Sequence, residues 1–263
     1  MIKLNKQQLK RKLDYHYRAF DKSRISPDPI EFPHKYSNFY DIEISAFLSS
    51  IFAYGRIEQI QKSLILLHDL MENQPYDFIK NYSVADGIKL FENFIHRFYK
   101  PEDVAQLFHI LRIVYDNYES LNQLFLLYYF AEDKNLKNAI SFFSNNLKSL
   151  LRTKQDISSG LKFMFPDPIR GSACKRMNLF MRWMVRKDEI DFGLWKEIPP
   201  NKLVIPVDTH IAKICKELKL TKHKVVSWNM AEEITNNLAK FNTHDPVKYD
   251  FALCHIGMRN MKF

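Results

Sequence analysis

Gly171-Ser172-Ala173-Cys174-Lys175-Arg176-Met177-Asn178 opens an uninterrupted helical run that continues to about Arg186, and Val204-Ile205-Pro206-Val207-Asp208-Thr209-His210 opens another. The first follows a Pro-rich break at 164–170. Its glycine turn leads directly into a helix with two cations in the first turns, where free backbone N–H groups can hold a phosphate. In the second, Pro206 suits a helix start, Asp208 stands at or near the N-terminus, and Ile211, Ile214, Cys215 and Leu218 supply the apolar stripe. Taken singly, Asp208 reads as a helix cap and Lys175 as a solvated lysine. Taken together, in this order, they put an amine and a carboxylate at the starts of two helices.

The rest of the chain is also helical in character. Glycine occurs only six times in 263 residues, far below the usual ~7%, whereas parallel α/β folds and β-barrels need it at many turns. Amphipathic runs fall at Lys3–Phe20, Asp41–Phe52, Glu58–Met71 and about 87–97, 102–115, 120–131 and 134–150, then at about 224–240 and 246–259. Tyr54-Gly55-Arg56 stops the second of these with a glycine cap. Pro27, Pro29 and Pro33 mark 25–37 as an extended loop. Strand alternation, repeats and low-complexity segments are missing. The dense Phe and Tyr of 86–150 read as core.

Lys and Arg exceed Asp and Glu by nine, and the excess is concentrated. Residues 1–24 carry eight basic and two acidic groups, net +6, and residues 170–224 carry thirteen and six, net +7. Two basic blocks favour a defined anion-binding face over a diffuse one. No apolar run approaches the ~20 residues of a membrane span, and the Lys-rich N-terminus is unlike a signal peptide. Three scattered cysteines, Cys174, Cys215 and Cys254, cannot build a disulfide framework or a four-cysteine metal site. The expected compartment is the reducing cytoplasm, with no membrane partner.

The two quoted segments resemble the active site of the helix-hairpin-helix DNA glycosylase superfamily. In its endonuclease III branch, a Gly-x-Gly-x-Lys hairpin leads into a helix and a Val-Asp-Thr-His segment follows. Lys175, four residues after Gly171, falls at the nucleophilic lysine, and Asp208 at the essential aspartate. Ile44–Tyr54 is similar to the branch's early core helix, Ile211–Leu220 to the helix after the aspartate, and Tyr249–Gly257 to its last core helix. The 33-residue gap from Lys175 to Asp208 is closer to archaeal 8-oxoguanine DNA glycosylases. The chain departs from the pattern at Ala173, where a second glycine is usual, and at Ile169-Arg170, where Leu-Pro is usual. It also resembles, over nearly its whole length, a bacterial family of unknown function marked by segments like Phe52–Arg56, Arg182–Arg186, Asp191–Trp195 and Tyr249–Leu253.

The resemblance implies an all-α fold of two helical subdomains flanking a cleft: one of about 1–40 plus 225–263, the other of about 41–224 containing the hairpin at 165–187. It implies a monomeric base-excision repair enzyme, a bifunctional DNA glycosylase/AP lyase that removes an oxidised base such as 8-oxoguanine from damaged duplex DNA through a Lys175 Schiff base. Gly171, Ser172, Ala173 and Arg176 would bind DNA. Helical spacing sets Lys175, Asn178, Arg182 and Arg186 along one face, read either as phosphate or base contacts or as a solvated row paired with Asp188 and Glu189. Phe52, Tyr54, Trp183 and Trp195 are candidates for stacking on a flipped base, whereas core packing suits Phe180. His210 reads as a packing or capping residue. The four-cysteine run of endonuclease III is missing and no metal-ligand spacing accompanies His210, so no metal or other cofactor is expected. The alternative is a catalytically inactive helix-hairpin-helix protein that binds nucleic acid. Only the enzyme needs Lys175 and Asp208 within reach of one sugar carbon.

Overall fold

Thirteen α-helices form in the computed structural model, which describes residues 5–151 and 157–258. They are α1 (Lys6–Ala19), α2 (Phe39–Phe52), α3 (Ile57–Leu70), α4 (Pro75–Asn81), α5 (Gly87–Leu90), α6 (Pro101–Asn117), α7 (Leu121–Leu126), α8 (Lys137–Ser149), α9 (Ser159–Met164), α10 (Lys175–Val185), α11 (Thr209–Glu217), α12 (Trp228–Ala239) and α13 (Asp250–Met258). Among the described residues, extended pairing is limited to two isolated bridges, His96 with Tyr99 and Lys187 with Phe192. The fold is all-α. None of its described helices is long and apolar enough to cross a membrane.

The expected helices are present, with local differences that include an early stop, at Leu126, of the helix expected over 120–131. The extended loop at 25–37 is instead wound into short 3₁₀ turns, Pro29–Glu31 and Pro33–Lys35, because each proline presets the first helical φ and the Asp28 carboxylate accepts the Ile30 N–H. The helix expected over 87–97 stops at Leu90. Two short helices, α4 and α9, lie where none was expected. Lys3 and Leu4 of the first expected helix and Arg259 of the last lie outside the described residues.

The chain divides into two units. One contains residues 26–133 and 137–169. Its α2 is buried on all sides from Ile42 to Phe52, as befits a helix with no polar face. The one carboxylate inside it, Glu43, accepts hydrogen bonds from the Tyr115 hydroxyl at 2.6 Å, the Leu121 N–H at 2.8 Å and the Asn122 N–H at 3.1 Å. An anion thus satisfies the N-terminus of α7. Glu43→Gln turns one acceptor into a donor that faces donors. It should destabilise the protein by about 2–3 kcal/mol, and an unchanged urea midpoint would contradict this. The imidazole of His68 ties α3 to α2: Nδ1 donates to the Leu64 carbonyl at 2.7 Å, so Nε2 accepts from the Ser45 hydroxyl at 2.8 Å. Burial holds this ring neutral, with its pKa pushed down to about 4.

The other unit contains residues 1–25, 134–136 and 170–263. Here α13 packs against both α11 and α1. The Tyr249 hydroxyl donates to Asp14 at 2.8 Å, and its ring meets that of Tyr17 edge-on. The boundaries differ from those expected. Residues 26–40 join the middle of the chain because their 3₁₀ turns pack on α2. Residues 170–224, with α10, join the terminal helices because Arg182 of α10 and Arg186 just past its end pair with Asp250 and Asp245.

Candidate active site

The segment that delivers Asp208 is extended and apolar. Leu203, Val204, Ile205 and Val207 are all buried, and the Ile205 N–H donates to the Thr235 hydroxyl at 3.0 Å. The chain then turns into α11. Asp208 Oδ1 accepts the N–H groups of His210 and Ile211, both at 2.9 Å. One carboxylate oxygen is thus spent on capping, as the sequence suggested. The other, Oδ2, lies 3.1 Å from Lys175 Nζ.

Lys175 is the first residue of α10. The turn before it is set by backbone geometry. Gly171 has φ +91, a value that disfavours side chains, and its carbonyl accepts the Trp228 N–H at 3.1 Å. Cys174 is left-handed at φ 46, ψ 40 without being glycine, a strained position that the surroundings must enforce. The buried Asn178 amide supplies part of that enforcement by donating to the Ala173 carbonyl at 3.0 Å.

The pair is accessible. One third of the Lys175 side chain and 19% of the Asp208 side chain reach solvent. Burial pushes the Asp208 carboxyl up, but the Lys175 ammonium and the Ile211 N–H outweigh it, so the pKa sits below the usual 3.8. At neutral pH the site presents an ionised carboxylate in contact with an amine. His210 is exposed.

A family profile for DUF2400, described as a protein of unknown function, matches residues 28–259. The chain belongs to the DUF2400 family. No curated protein and no solved structure matches it.

In this DUF2400 protein, the expected row of DNA contacts on α10 requires correction. Arg182 and Arg186 are each only 3% exposed. Arg182 donates from Nε and Nη2 to Asp191 Oδ1, at 3.2 and 3.0 Å, and from Nη1 to Asp250. Arg186 donates to Asp191, to Asp245 through Nε at 2.9 Å and to Asp188 through Nη2 at 2.9 Å. These guanidinium groups are committed to internal carboxylates and do not face a phosphate backbone. Asp188, one partner suggested by the sequence, is present, but in a buried network and not on a solvated row. Arg176 and Ala173 are buried too, whereas Gly171 is exposed and Ser172 half-buried.

Three of the four rings expected to line a base pocket are also withdrawn from solvent. Phe52, Trp183 and Trp195 are completely buried. Phe52 meets Phe94, His96 and Tyr99 edge-on, and Trp195 meets Phe180 at 5.2 Å. Of the four, only Tyr54 keeps part of its surface in solvent.

The network explains three of the segments that mark the sequence. Arg182–Arg186 provides the cations, Asp191–Trp195 folds back so that the Phe192 and Trp195 N–H groups cap the Trp183 and Met184 carbonyls, and Tyr249–Leu253 brings Asp250. From sequence, Asp245 read as a helix cap beside Pro246, and Asp191 and Asp250 stood in the marking segments with no role assigned.

Asp250 gives the network a pH signature. Burial raises its pKa to about 6; Arg182 opposes the rise, and Asp208 and Asp191 add to it. The folded state therefore binds this proton more tightly than the unfolded state, whose value is near 3.8. Its contribution is fully present below 3.8 and is lost as pH rises through about 6. Asp250→Asn lacks that proton. Urea midpoints of the variant should fall less than those of the wild type across this window, and parallel profiles would contradict the assignment.

Proposed function

We propose that this chain is a DNA base-excision repair enzyme, a bifunctional glycosylase/AP lyase acting as a monomer on an oxidised base in damaged duplex DNA. The observation that carries the reading is the 3.1 Å contact between Lys175 at the start of α10 and Asp208 at the start of α11. The helix-hairpin-helix glycosylase resemblance requires this pair, and the two side chains come from positions 33 residues apart in sequence.

The chemistry asks for both groups. The target nucleotide leaves the duplex to expose its C1′. Lys175 attacks as the neutral amine, its ammonium proton having passed to water, and the amine lone pair forms the bond to C1′; Asp208 Oδ2 takes the surplus nitrogen proton once that bond has formed. The C1′–N glycosidic bond breaks, and its electron pair leaves with the base, which gains a proton. The sugar ring then opens at C1′–O4′ to give an imine between Lys175 and C1′. Loss of the C2′ proton expels the 3′ phosphate and cuts the strand. Throughout the first step, positive charge accumulates on the sugar, and an ionised carboxylate beside it lowers that barrier. The depressed pKa of Asp208 keeps it ionised.

Borohydride reduces the imine to a stable adduct. Wild-type protein incubated with duplexes that each carry one lesion, 8-oxoguanine first, should give a covalent protein–DNA band with borohydride. DNA binding without a band on any lesion would favour the inactive nucleic-acid-binding reading.

A further inference from the structure

The segment Phe52-Ala53-Tyr54-Gly55-Arg56 plays no part in the Lys175–Asp208 site or in the arginine network. It leads out of α2 into an unusual surface. The Tyr54 ring lies 4.8 Å from that of Phe163 and 6.1 Å from that of Phe98, and Phe98 and Phe163 are 4.9 Å apart edge-on. Across Tyr54 lies the Arg97 guanidinium, 4.8 Å from the ring centre, with Nη2 donating to the Tyr54 hydroxyl at 3.4 Å. Gly55 makes room for it: a Cβ there would stand 3.2 Å from Arg97 Cδ, and φ is +112. Arg97 itself is left-handed at φ 57, a conformation that costs energy for a non-glycine residue at a surface turn.

The surface is rigidly backed. The buried His96 donates from Nε2 to the Tyr54 carbonyl at 3.0 Å, so its Nδ1 accepts from the Ser63 hydroxyl at 2.8 Å. Gln59 donates to the Ile95 carbonyl at 2.8 Å. Yet the outer side chains stay in water: Phe98 is 45% exposed and Ile95 74%. A core-forming cluster would bury them. Exposed cations stand beside the aromatics in sequence, Lys100 after Phe98-Tyr99 and Lys162 before Phe163, while Arg56, after Tyr54-Gly55, is paired with Glu58 at 3.8 Å.

We infer that Tyr54, Arg97, Phe98 and Phe163 form a stacking platform for unpaired bases of single-stranded DNA, separate from the Lys175–Asp208 pair. The exposed Phe98 ring offers a π face that every base can use, with Tyr54 and Phe163 packed behind it, Arg97 adds a planar cation, and the flanking Lys100 and Lys162 suit the phosphates on either side. The charge complementarity is what selects a polyanion over an apolar protein partner. The inference rests on the proposed function only in taking DNA as the ligand; it needs no catalysis.

The test uses full-length protein and a fluorescein-labelled oligothymidine, with an abasic oligomer of equal length as the base-free control. Both outer residues are exposed, so Phe98→Ala and Arg97→Ala should fold normally. Each should weaken oligothymidine binding at least about fivefold, the lower end of what a lost base–aromatic stack costs, and leave abasic binding unchanged. Iodouracil-substituted oligomer should crosslink to the peptides carrying Tyr54 or Phe98. Wild-type affinity in both variants, equal losses on the abasic oligomer, or crosslinks confined to other peptides would overturn the platform. So would concentration-dependent self-association, abolished by Phe98→Ala, with no oligomer binding. Lys175→Gln separates the two proposals. It should bind oligothymidine like wild type while giving no borohydride adduct; an adduct missing from the wild-type protein would count against the enzyme reading alone.

Discussion

Arg182→Ala should lower the stability of the protein by about 3–5 kcal/mol, the usual cost of removing one partner from a buried ion pair. Arg182 is held between Asp191 and Asp250, and both carboxylates are buried. Without the guanidinium, each keeps a charge in a poorly solvated place or must take up a proton. Asp191 still has Arg186, but Asp250 loses the cation that opposes its burial. The damage should extend to α10, whose last carbonyls are capped by the loop that Asp191 anchors. Lys175→Ala is the control. Its ion pair is one-third exposed on the lysine side and should cost no more than about 1 kcal/mol. Urea unfolding of the two variants checks this, and equal midpoints would mean that the network contributes little. A DNA-facing Arg182 would instead leave stability near wild type and reduce the salt dependence of binding.

The second large effect concerns chemistry. Lys175→Gln should abolish borohydride trapping while leaving DNA binding and folding nearly intact, because an amide has no lone pair available to attack C1′. Asp208→Asn should be almost as damaging to turnover, by a factor of about 10² or more. Its Oδ1 can still accept the N–H groups of His210 and Ile211, and asparagine caps helices about as well as aspartate. Its Nδ2, however, would point a donor at the Lys175 amine and could neither take a proton nor face a cationic sugar. A purely capping Asp208 gives wild-type cleavage in this variant, whereas the glycosylase mechanism gives loss of cleavage with stability retained.

The sequence carried the fold class for physical reasons that are local, and the central pair through its resemblance to the helix-hairpin-helix glycosylases. Scarce glycine and helical periodicity need no knowledge of partners. Lys175 and Asp208 each stand at a helix start, where a turn or a cap leaves a readable mark within five or six residues. The fate of Arg182 and Arg186 was not readable in this way. Helical spacing aligns them with Lys175, and two arginines on one face suggest solvent or phosphate. What draws them inward are Asp250 and Asp245, 68 and 59 residues further along the chain, which no local pattern connects to α10. The stacking platform was hidden for a related reason. Residues 91–99 have aromatic spacing compatible with a helix, but Phe91, Phe94, His96 and Tyr99 are buried in a non-helical strap, held by the bond from His96 to Tyr54. Tyr54 was noticed as a possible stacking residue; Arg97, Phe98 and Phe163 were not. Short helices such as α4 and α9 span two turns or fewer and leave too little periodicity to detect.

The central claim is that Lys175 becomes covalently joined to the sugar of a damaged nucleotide while Asp208 supports the step. Its most direct test is to trap wild-type protein with borohydride on a lesion duplex, digest the adduct and locate the modified residue by mass spectrometry. The expected result is one nucleotide-bearing peptide with the modification on Lys175, missing in Lys175→Gln and strongly reduced in Asp208→Asn. An adduct on another lysine or on the N-terminal amine, or the same yield in Lys175→Gln as in wild type, would contradict the account.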